Sequence, residues 1–176
     1  MTKMVKPYSY ILDLGFAQSP NLKLQNEKVV GVDLNCKNKP DNYKKIIKAD
    51  VMCLSEIIEH NTVDAIYCGE LLEHLENPIK FLRECRKVLI NNGIIVLSTP
   101  NPHSIYETFL TIFMIKKYFY TKDHICIYPQ RWIIRMFEIA GFKEVKIKSG
   151  GLSIPFLGTI PFFRTFGHYT IVKATK

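Results

Sequence analysis

Three aspartates stand at or near the ends of short hydrophobic runs in the first third of the chain, where a carboxylate can bind a ligand: Asp13, Asp33 and Asp50. Asp33 lies 18 positions after Gly15, the spacing at which a Rossmann-type fold holds the hydroxyls of a ribose. A single aspartate at such a position is most often a turn former, whereas three at one sheet edge favour a ligand site. The spacing suits a nicotinamide dinucleotide or an adenosyl ligand.

The segment after Gly15 decides between these two ligands. A pyrophosphate needs a glycine-rich turn and an exposed helix N-terminus. Residues 15–20 read Gly-Phe-Ala-Gln-Ser-Pro and contain only the first of the fingerprint glycines. S-adenosylmethionine carries no phosphate and needs close backbone approach at one glycine. The segment therefore disfavours a dinucleotide and favours S-adenosylmethionine.

A second group of residues that could act as acids or bases follows the fourth hydrophobic run. Glu70 and His74 would share one face if their segment is helical. Glu73 is expected to cap or solvate that short helix. His74, and His124 further along, are candidate general bases, although His74 could equally be a capping residue. A base is required when the group that reacts is a hydroxyl or a similar acid, whereas in-line positioning otherwise suffices.

The hydrophobic pattern predicts the sheet that would bring these residues together. Short β-branched or apolar runs predict strands, and apolar residues at helical spacing between them predict helices. The asparagine and proline at positions 77 and 78 predict a helix start, and the Asn-Gly pair at 92–93 predicts its end. The predicted strands are Tyr8–Leu14, Lys28–Asp33, Ile46–Ala49, Thr62–Cys68, Ile94–Thr99, Lys143–Lys148 and Tyr169–Ala174, and the other predicted helices lie around Leu54–Ile58 and over Pro129–Ala140.

Alternating strands and helices in a chain of 176 residues predict a single α/β domain. We expect a Rossmann-like, open, mostly parallel sheet with helices on both faces. Ligands of such sheets bind at the carboxyl ends of the strands, near the point where strand order reverses. Asp13, Gly15, Asp33, Asp50, Gly69 and Glu70 would gather there.

The order of these segments resembles the class I S-adenosylmethionine-dependent methyltransferases. The resemblance rests on ILDLGFA, VVGVDLN, ADVMCLSE and the stretch from VDAIYCGELLEHL to IIVLSTPN, over residues 10–101, and it continues in residues 124–142. It implies a seven-stranded sheet whose last strand is antiparallel. Ala17 stands where the family usually has a second glycine, and the regions before and after Asp33 are short, so reduced helices are expected there.

The resemblance also implies roles for individual residues. Asp13, Gly15, Phe16 and Ala17 would lie at the methionine part of the cofactor. Asp33 would bind the ribose hydroxyls, with Leu34 against the adenine. The remaining cofactor contacts would come from Asp50 and Val51 at the adenine edge and from Gly69 and Glu70 at the pocket wall.

Two aromatic-rich inserts, residues 104–123 and 149–167, are predicted to form the acceptor pocket or a lid. The chain has Cys-Gly-Glu-Leu at 68–71, where enzymes of this fold that methylate amino groups of nucleic acids carry Asn/Asp-Pro-Pro-aromatic, and it has no Pro-Cys pair. A small-molecule acceptor, such as an oxygen of a sugar, a glycan lipid or an aromatic compound, is therefore favoured over nucleic acid. A non-catalytic binding or scaffold protein is the alternative.

Composition and charge limit the possible partners and cellular location of the protein. The formal charge of +8 is concentrated in residues 101–176, which hold 11 basic and 4 acidic residues, so an anionic partner or a membrane surface could be attracted there. The five cysteines are scattered without a C-x-x-C pair, so neither a disulfide framework nor a metal site is predicted, and a reducing cytoplasm is expected. No secretion signal or membrane-spanning segment is predicted. The oligomeric state is left open.

Overall fold

The computed structural model describes residues 1–104, 108, 112, 123–150, 152–154, 158–160 and 167–176. Seven strands form one sheet: β1 (Tyr10–Leu14), β2 (Lys28–Asp33), β3 (Lys45–Lys48), β4 (Val63–Gly69), β5 (Leu89–Pro100), β6 (Lys143–Gly150) and β9 (Tyr169–Thr175). Strands β7 (Leu152–Ile154) and β8 (Gly158–Ile160) form a separate antiparallel pair.

The sheet order is β3-β2-β1-β4-β5-β9-β6. Strands β1 to β5 pair in parallel, and β9 lies antiparallel between β5 and β6. The predicted Rossmann-like, mostly parallel sheet with an antiparallel last strand is confirmed. The strand order reverses beside β1, so the carboxyl ends of β1, β2 and β4 flank the position at which such sheets bind ligands.

Four helices have bounds within the described ranges, and the described residues 108 and 112 are also helical. The four are α1 (Thr2–Val5), α2 (Leu54–Ile57), α3 (Pro78–Val88) and α4 (Gln130–Ala140). Two 3-10 turns, Val51–Cys53 and Leu72–His74, follow β3 and β4. Inward-facing residues of α2, α3 and α4 pack on one face of the sheet. Residues of α1 and of the loops around β2 pack on the other. No helix in the described ranges has the length and apolar character to span a bilayer.

The local signals for helix ends were partly correct. The side chain of Asn77 caps α3 by accepting a hydrogen bond from the backbone N–H of Lys80 at 2.9 Å. Gly141 ends α4 with a φ of +90°. The described segments on either side of β2, residues 15–27 and 34–44, contain no helix, which agrees with the expected reduction.

The predicted end of α3 at residues 92–93 was wrong. The helix ends at Val88, and Leu89 pairs with Val63 as the first residue of β5. Gly93 belongs to an irregularity in this pairing, where an added Cβ would lie 2.9 Å from the carbonyl oxygen of Ile90. Pairing with β4 and burial of the Leu89 side chain outweigh the local Asn-Gly signal.

Candidate functional site

The carboxylate of Asp33, at the end of β2, is tied to two neighbouring loops. One oxygen accepts the backbone N–H of Ala17 at 3.0 Å, and the other accepts that of Asn35 at 2.7 Å. A carboxylate has about four lone-pair sites, so both oxygens can accept a further hydrogen bond. Asp33 is only half-buried and remains accessible to a ligand hydroxyl.

Gly15 allows the loop after β1 to approach the end of β4. Its φ is +73°, a conformation that favours glycine, and its N–H donates to the carbonyl oxygen of Val32 at 3.0 Å. An added Cβ would lie 3.0 Å from a methyl carbon of Leu71. The positive φ and the contact with Leu71 both require glycine at this position, and its predicted approach to the cofactor stays a prediction.

Phe16 holds the same loop against the sheet. Its ring lies over Gly31, where an added Cβ would meet it at 2.6 Å, and its centroid is 5.3 Å from that of Tyr43. Phe16 is buried, with an exposed fraction of 3%. Its predicted contact with the cofactor stays a prediction, as does that of Ala17.

Asp13 lies beneath this loop. The Tyr43 hydroxyl donates a hydrogen bond to its carboxylate. Burial raises the pKa of Asp13 to about 7, and the hydrogen bonds from Tyr43 and from the backbone of Asn21 offset part of that rise. Through these two hydrogen bonds the Asp13 side chain holds the loop that contains Asn21 and the loop that contains Tyr43. The Tyr43 partnership was not predicted, since it joins residues 30 positions apart with no local signal.

The residues predicted at the adenine lie next to Asp33. The Ala49 N–H donates to the Asp33 carbonyl oxygen at 3.1 Å, which places the end of β3 beside β2. Leu34 is 56% exposed, so its side chain is free to contact a ligand. Asp50 caps the following 3-10 turn by accepting the Met52 N–H at 2.8 Å, and Val51 is buried.

A groove of about 640 Å³ adjoins this site. It runs between the loops 16–22 and 35–41, and Ala17 and Asn35, the two residues that bind Asp33, line it. The groove therefore lies next to the Asp33 carboxylate, although Asp33 is not one of its lining residues.

The end of β4 carries two residues of the predicted pocket wall. An added Cβ on Gly69 would meet no atom closer than 3.8 Å, so its surroundings are open. Glu70 has a φ of +49°, and one of its carboxylate oxygens is buried without a hydrogen bond from any residue the structure describes. Burial, and secondarily the charge of Glu73, raise the pKa of Glu70 to about 7. Such a perturbed, strained acid at a strand end is typical of functional sites.

The expectation that Glu73 is solvated was wrong. Its side chain is fully buried, and the Thr99 hydroxyl donates to one carboxylate oxygen at 2.9 Å. Burial raises the pKa of Glu73. The backbone explains the error: a 3-10 turn over Leu72–His74, rather than an α-helix containing Glu70, turns Glu73 under the strand ends.

The two candidate bases, 50 positions apart in the sequence, lie together. The rings of His74 and His124 have centroids 4.7 Å apart in a T-shaped arrangement. Nδ1 of His74 is 2.7 Å from the carbonyl oxygen of Asp123. Burial lowers the pKa of His124, and the neighbouring His74 lowers it further. The arrangement offers two imidazoles and a buried carboxylate at the end of β4.

The aromatic residues of the two predicted inserts largely lie outside the described residues. They comprise Tyr106, Phe109, Phe113, Tyr118, Phe119, Tyr120, Phe156, Phe162 and Phe163. Their assignment to an acceptor pocket or lid stays a prediction.

Comparison with known proteins gives a family and a fold. The model of a methyltransferase domain family matches residues 6–147. An S-adenosylmethionine-dependent methyltransferase of Thermotoga maritima has a TM-score of 0.75 at 15% identity, over 99% of this chain and 85% of that one. An S-adenosylmethionine-dependent methyltransferase from Archaeoglobus fulgidus has a TM-score of 0.72 at 19% identity, over 100% of this chain and 95% of that one.

A third structure, a complex of the Trm112 methyltransferase activator with a methyltransferase of Haloferax volcanii, matches with a TM-score of 0.70 at 14% identity, over 99% of this chain and 86% of that one. No curated protein sequence matches the chain. At these identities the structural likeness shows the fold.

Proposed function

The chain belongs to the methyltransferase domain family, with S-adenosylmethionine as its cofactor, and from this premise we propose that it transfers a methyl group to an oxygen of a small molecule. A sugar, a glycan lipid or an aromatic alcohol is the proposed acceptor class. The observation that carries cofactor binding is the half-buried Asp33 carboxylate, with lone pairs to spare, beside the exposed Leu34, and the one that carries the oxygen acceptor is the His74–His124 pair.

We propose that Asp33 binds the two ribose hydroxyls. Leu34 would pack on the adenine, since an exposed apolar side chain gains stability when a flat ring covers it. Gly15 would let the backbone come close to the methionine part. The other proposed cofactor contacts are Asp13, Phe16, Ala17, Asp50, Val51, Gly69 and Glu70.

The residues described above fit this cofactor. The described loop after Gly15, residues 16–27, contains no helix whose N-terminus could hold a phosphate, which suits a ligand without phosphate. The strand ends around it are those at which such sheets bind ligands. When bound, S-adenosylmethionine would supply a methyl group on a positively charged sulfur, which leaves as a neutral thioether when an aligned nucleophile bonds to the methyl carbon. The protein must hold the acceptor in line and remove its proton.

We propose His74 and His124 as the catalytic residues that take up this proton. Nδ1 of His74 faces a carbonyl oxygen, which can only accept, so Nδ1 carries the hydrogen and Nε2 has the lone pair in the neutral ring. A pair of bases suits a hydroxyl acceptor, because a hydroxyl must lose a proton as it is methylated. This is why oxygen is proposed over an acceptor that needs positioning alone.

The test is release of S-adenosylhomocysteine in the presence of a panel of sugars, glycan lipids and aromatic alcohols. His74→Ala and His124→Ala should each lower turnover with an active acceptor while leaving cofactor binding intact. His60→Ala, at an exposed histidine outside the site, is the matched control. Unchanged turnover in both site variants refutes the base role, and no turnover with any acceptor favours the scaffold alternative.

We further propose a reducing, cytoplasmic environment, supported by five cysteines that are all free thiols in the structure. Contact of the basic C-terminal part with a membrane surface is compatible with this location. Nucleic acid is not proposed as a partner.

A further inference from the structure

We propose that Glu73, His74 and His124 bind one divalent transition-metal ion of the zinc class. Each of the three side chains offers one ligand atom, and these atoms all lie within 4.8 Å of one another. Two imidazole nitrogens and one carboxylate oxygen form a donor set that suits Zn²⁺ and leaves a coordination position open. The sequence alone predicts no such site, because His124 is 50 positions from His74.

The carboxylate of Glu73 lacks a partner that an ion would supply. Glu73 has an exposed fraction of 0%. Thr99 satisfies one oxygen, and the other, Oε1, receives no hydrogen bond from any described residue. A buried carboxylate oxygen without a partner is costly, and a cation is one of the few groups that can compensate it. The Thr99 hydrogen bond then resembles the outer contacts that orient metal ligands.

His74 is also oriented as a metal ligand. Metal-binding histidines usually donate the hydrogen of their second nitrogen to a carbonyl or carboxylate oxygen. His74 does this with the carbonyl oxygen of Asp123 at 2.7 Å, which leaves its other nitrogen with a lone pair. Asp123, next to His124 in the chain, adds an acidic side chain near the site.

Only small movements are needed to close the site. Ligand atoms around a tetrahedral zinc ion with bonds of about 2.0 Å lie about 3 to 3.5 Å apart. Because the ligand atoms lie within 4.8 Å of one another, their separations would have to shorten by roughly 1.8 Å at most. His124 lies in residues 124–129, outside the helices and strands, so its side chain can make most of this change.

The ion would alter how the histidine pair acts, and this part of the inference rests on the proposed function. An acceptor hydroxyl bound at the open position would lose its proton to water more readily, as zinc-bound water does. The oxygen would then bond to the methyl carbon as the bond between that carbon and the positively charged sulfur breaks, giving an ether, a neutral thioether and a released proton. In the metal-bound protein His74 and His124 would hold the ion while water accepts the proton, and without metal they would act as the bases proposed above.

Metal binding is tested without reference to activity. The full chain, stripped with chelator, is titrated with Zn²⁺ by calorimetry and with Co²⁺ by visible absorption. One ion per chain is expected, and His74→Ala, His124→Ala and Glu73→Gln should each weaken binding by at least about tenfold. Glu73→Gln keeps an acceptor for Thr99, and each variant is checked for unchanged thermal unfolding without metal.

His60→Ala and Cys126→Ser are the controls, because an exposed histidine or the exposed thiol near the site could bind the same ions. Both should bind metal as the wild type does. No binding by the wild type, binding unchanged in the three site variants, or binding lost in a control variant each overturns the proposal. Lower turnover of the histidine variants without any metal binding would instead leave them as bases, so the two proposals fail separately.

Discussion

Gly31→Ala tests whether the Phe16 ring fixes the loop that approaches the proposed cofactor. An ideal Cβ on Gly31 would lie 2.6 Å from one ring carbon of Phe16 and 2.7 Å from another. The ring is buried and packed against Tyr43, so it cannot move aside without loosening the loop after β1.

The expected effect is the balance of two terms. Overpacking of this kind costs about 1 to 3 kcal/mol, and replacing a strand glycine by alanine contributes about 0.5 to 1 kcal/mol of stability. Gly31→Ala should therefore lower the free energy of unfolding by up to about 2.5 kcal/mol, with about 1 kcal/mol at the middle of the range. In a Phe16→Ala background the clash is gone, so the same change should stabilise the protein by about 0.5 to 1 kcal/mol.

Urea unfolding of the four proteins in this double-mutant cycle measures both effects. Gly69→Ala is the matched control, since its Cβ would meet nothing closer than 3.8 Å, and it should change stability by no more than about 1 kcal/mol. If Gly31→Ala has the same effect with and without the Phe16 ring, the packing described for this loop is refuted.

Three further changes test other parts of the structure. Asp13→Asn keeps an acceptor for the Tyr43 hydroxyl. Because burial raises the folded-state pKa of Asp13 from 3.8 to about 7, the free energy of unfolding of the wild type should fall by up to about 4 kcal/mol relative to that of the variant as pH rises from about 4 to about 7. Urea midpoints of the two proteins that run parallel across this pH range would contradict the prediction. Asn77→Ala removes the cap that binds the Lys80 N–H and should lower thermal stability by about 1 kcal/mol, whereas an unchanged melting temperature would show that the cap contributes nothing. Leu34→Ala should weaken binding of S-adenosylhomocysteine in a calorimetric titration while leaving unfolding unchanged, because the side chain is already exposed; equal affinity would remove Leu34 from the proposed site.

The sheet was predictable because its signals are local. Each strand is a short apolar run bounded by turn residues, and the seven predicted strands of the main sheet were found with shifts at their ends. Asp33 and Gly15 were predictable from spacing, since both follow directly from consecutive parallel strands.

The rest depends on contacts between distant segments. The partnership of Asp13 with Tyr43 spans 30 positions, and that of Glu73 with Thr99 spans 26. The end of α3 moved from residues 92–93 to Val88 because Leu89 pairs with Val63. In each case a contact between distant segments determined the structure. Such contacts cannot be predicted from the periodicity of the local sequence.

The most direct test of the central claim is calorimetric titration of the wild-type chain and of Asp33→Ala with S-adenosylmethionine, S-adenosylhomocysteine and NADH. Micromolar binding of the first two, no binding of NADH, and a loss of at least about tenfold, or about 1.4 kcal/mol, in Asp33→Ala are predicted. Asp41→Ala, an exposed carboxylate on the neighbouring loop, should bind as the wild type does. No binding of either adenosyl compound, or binding that is indifferent to Asp33→Ala, would contradict the proposed site.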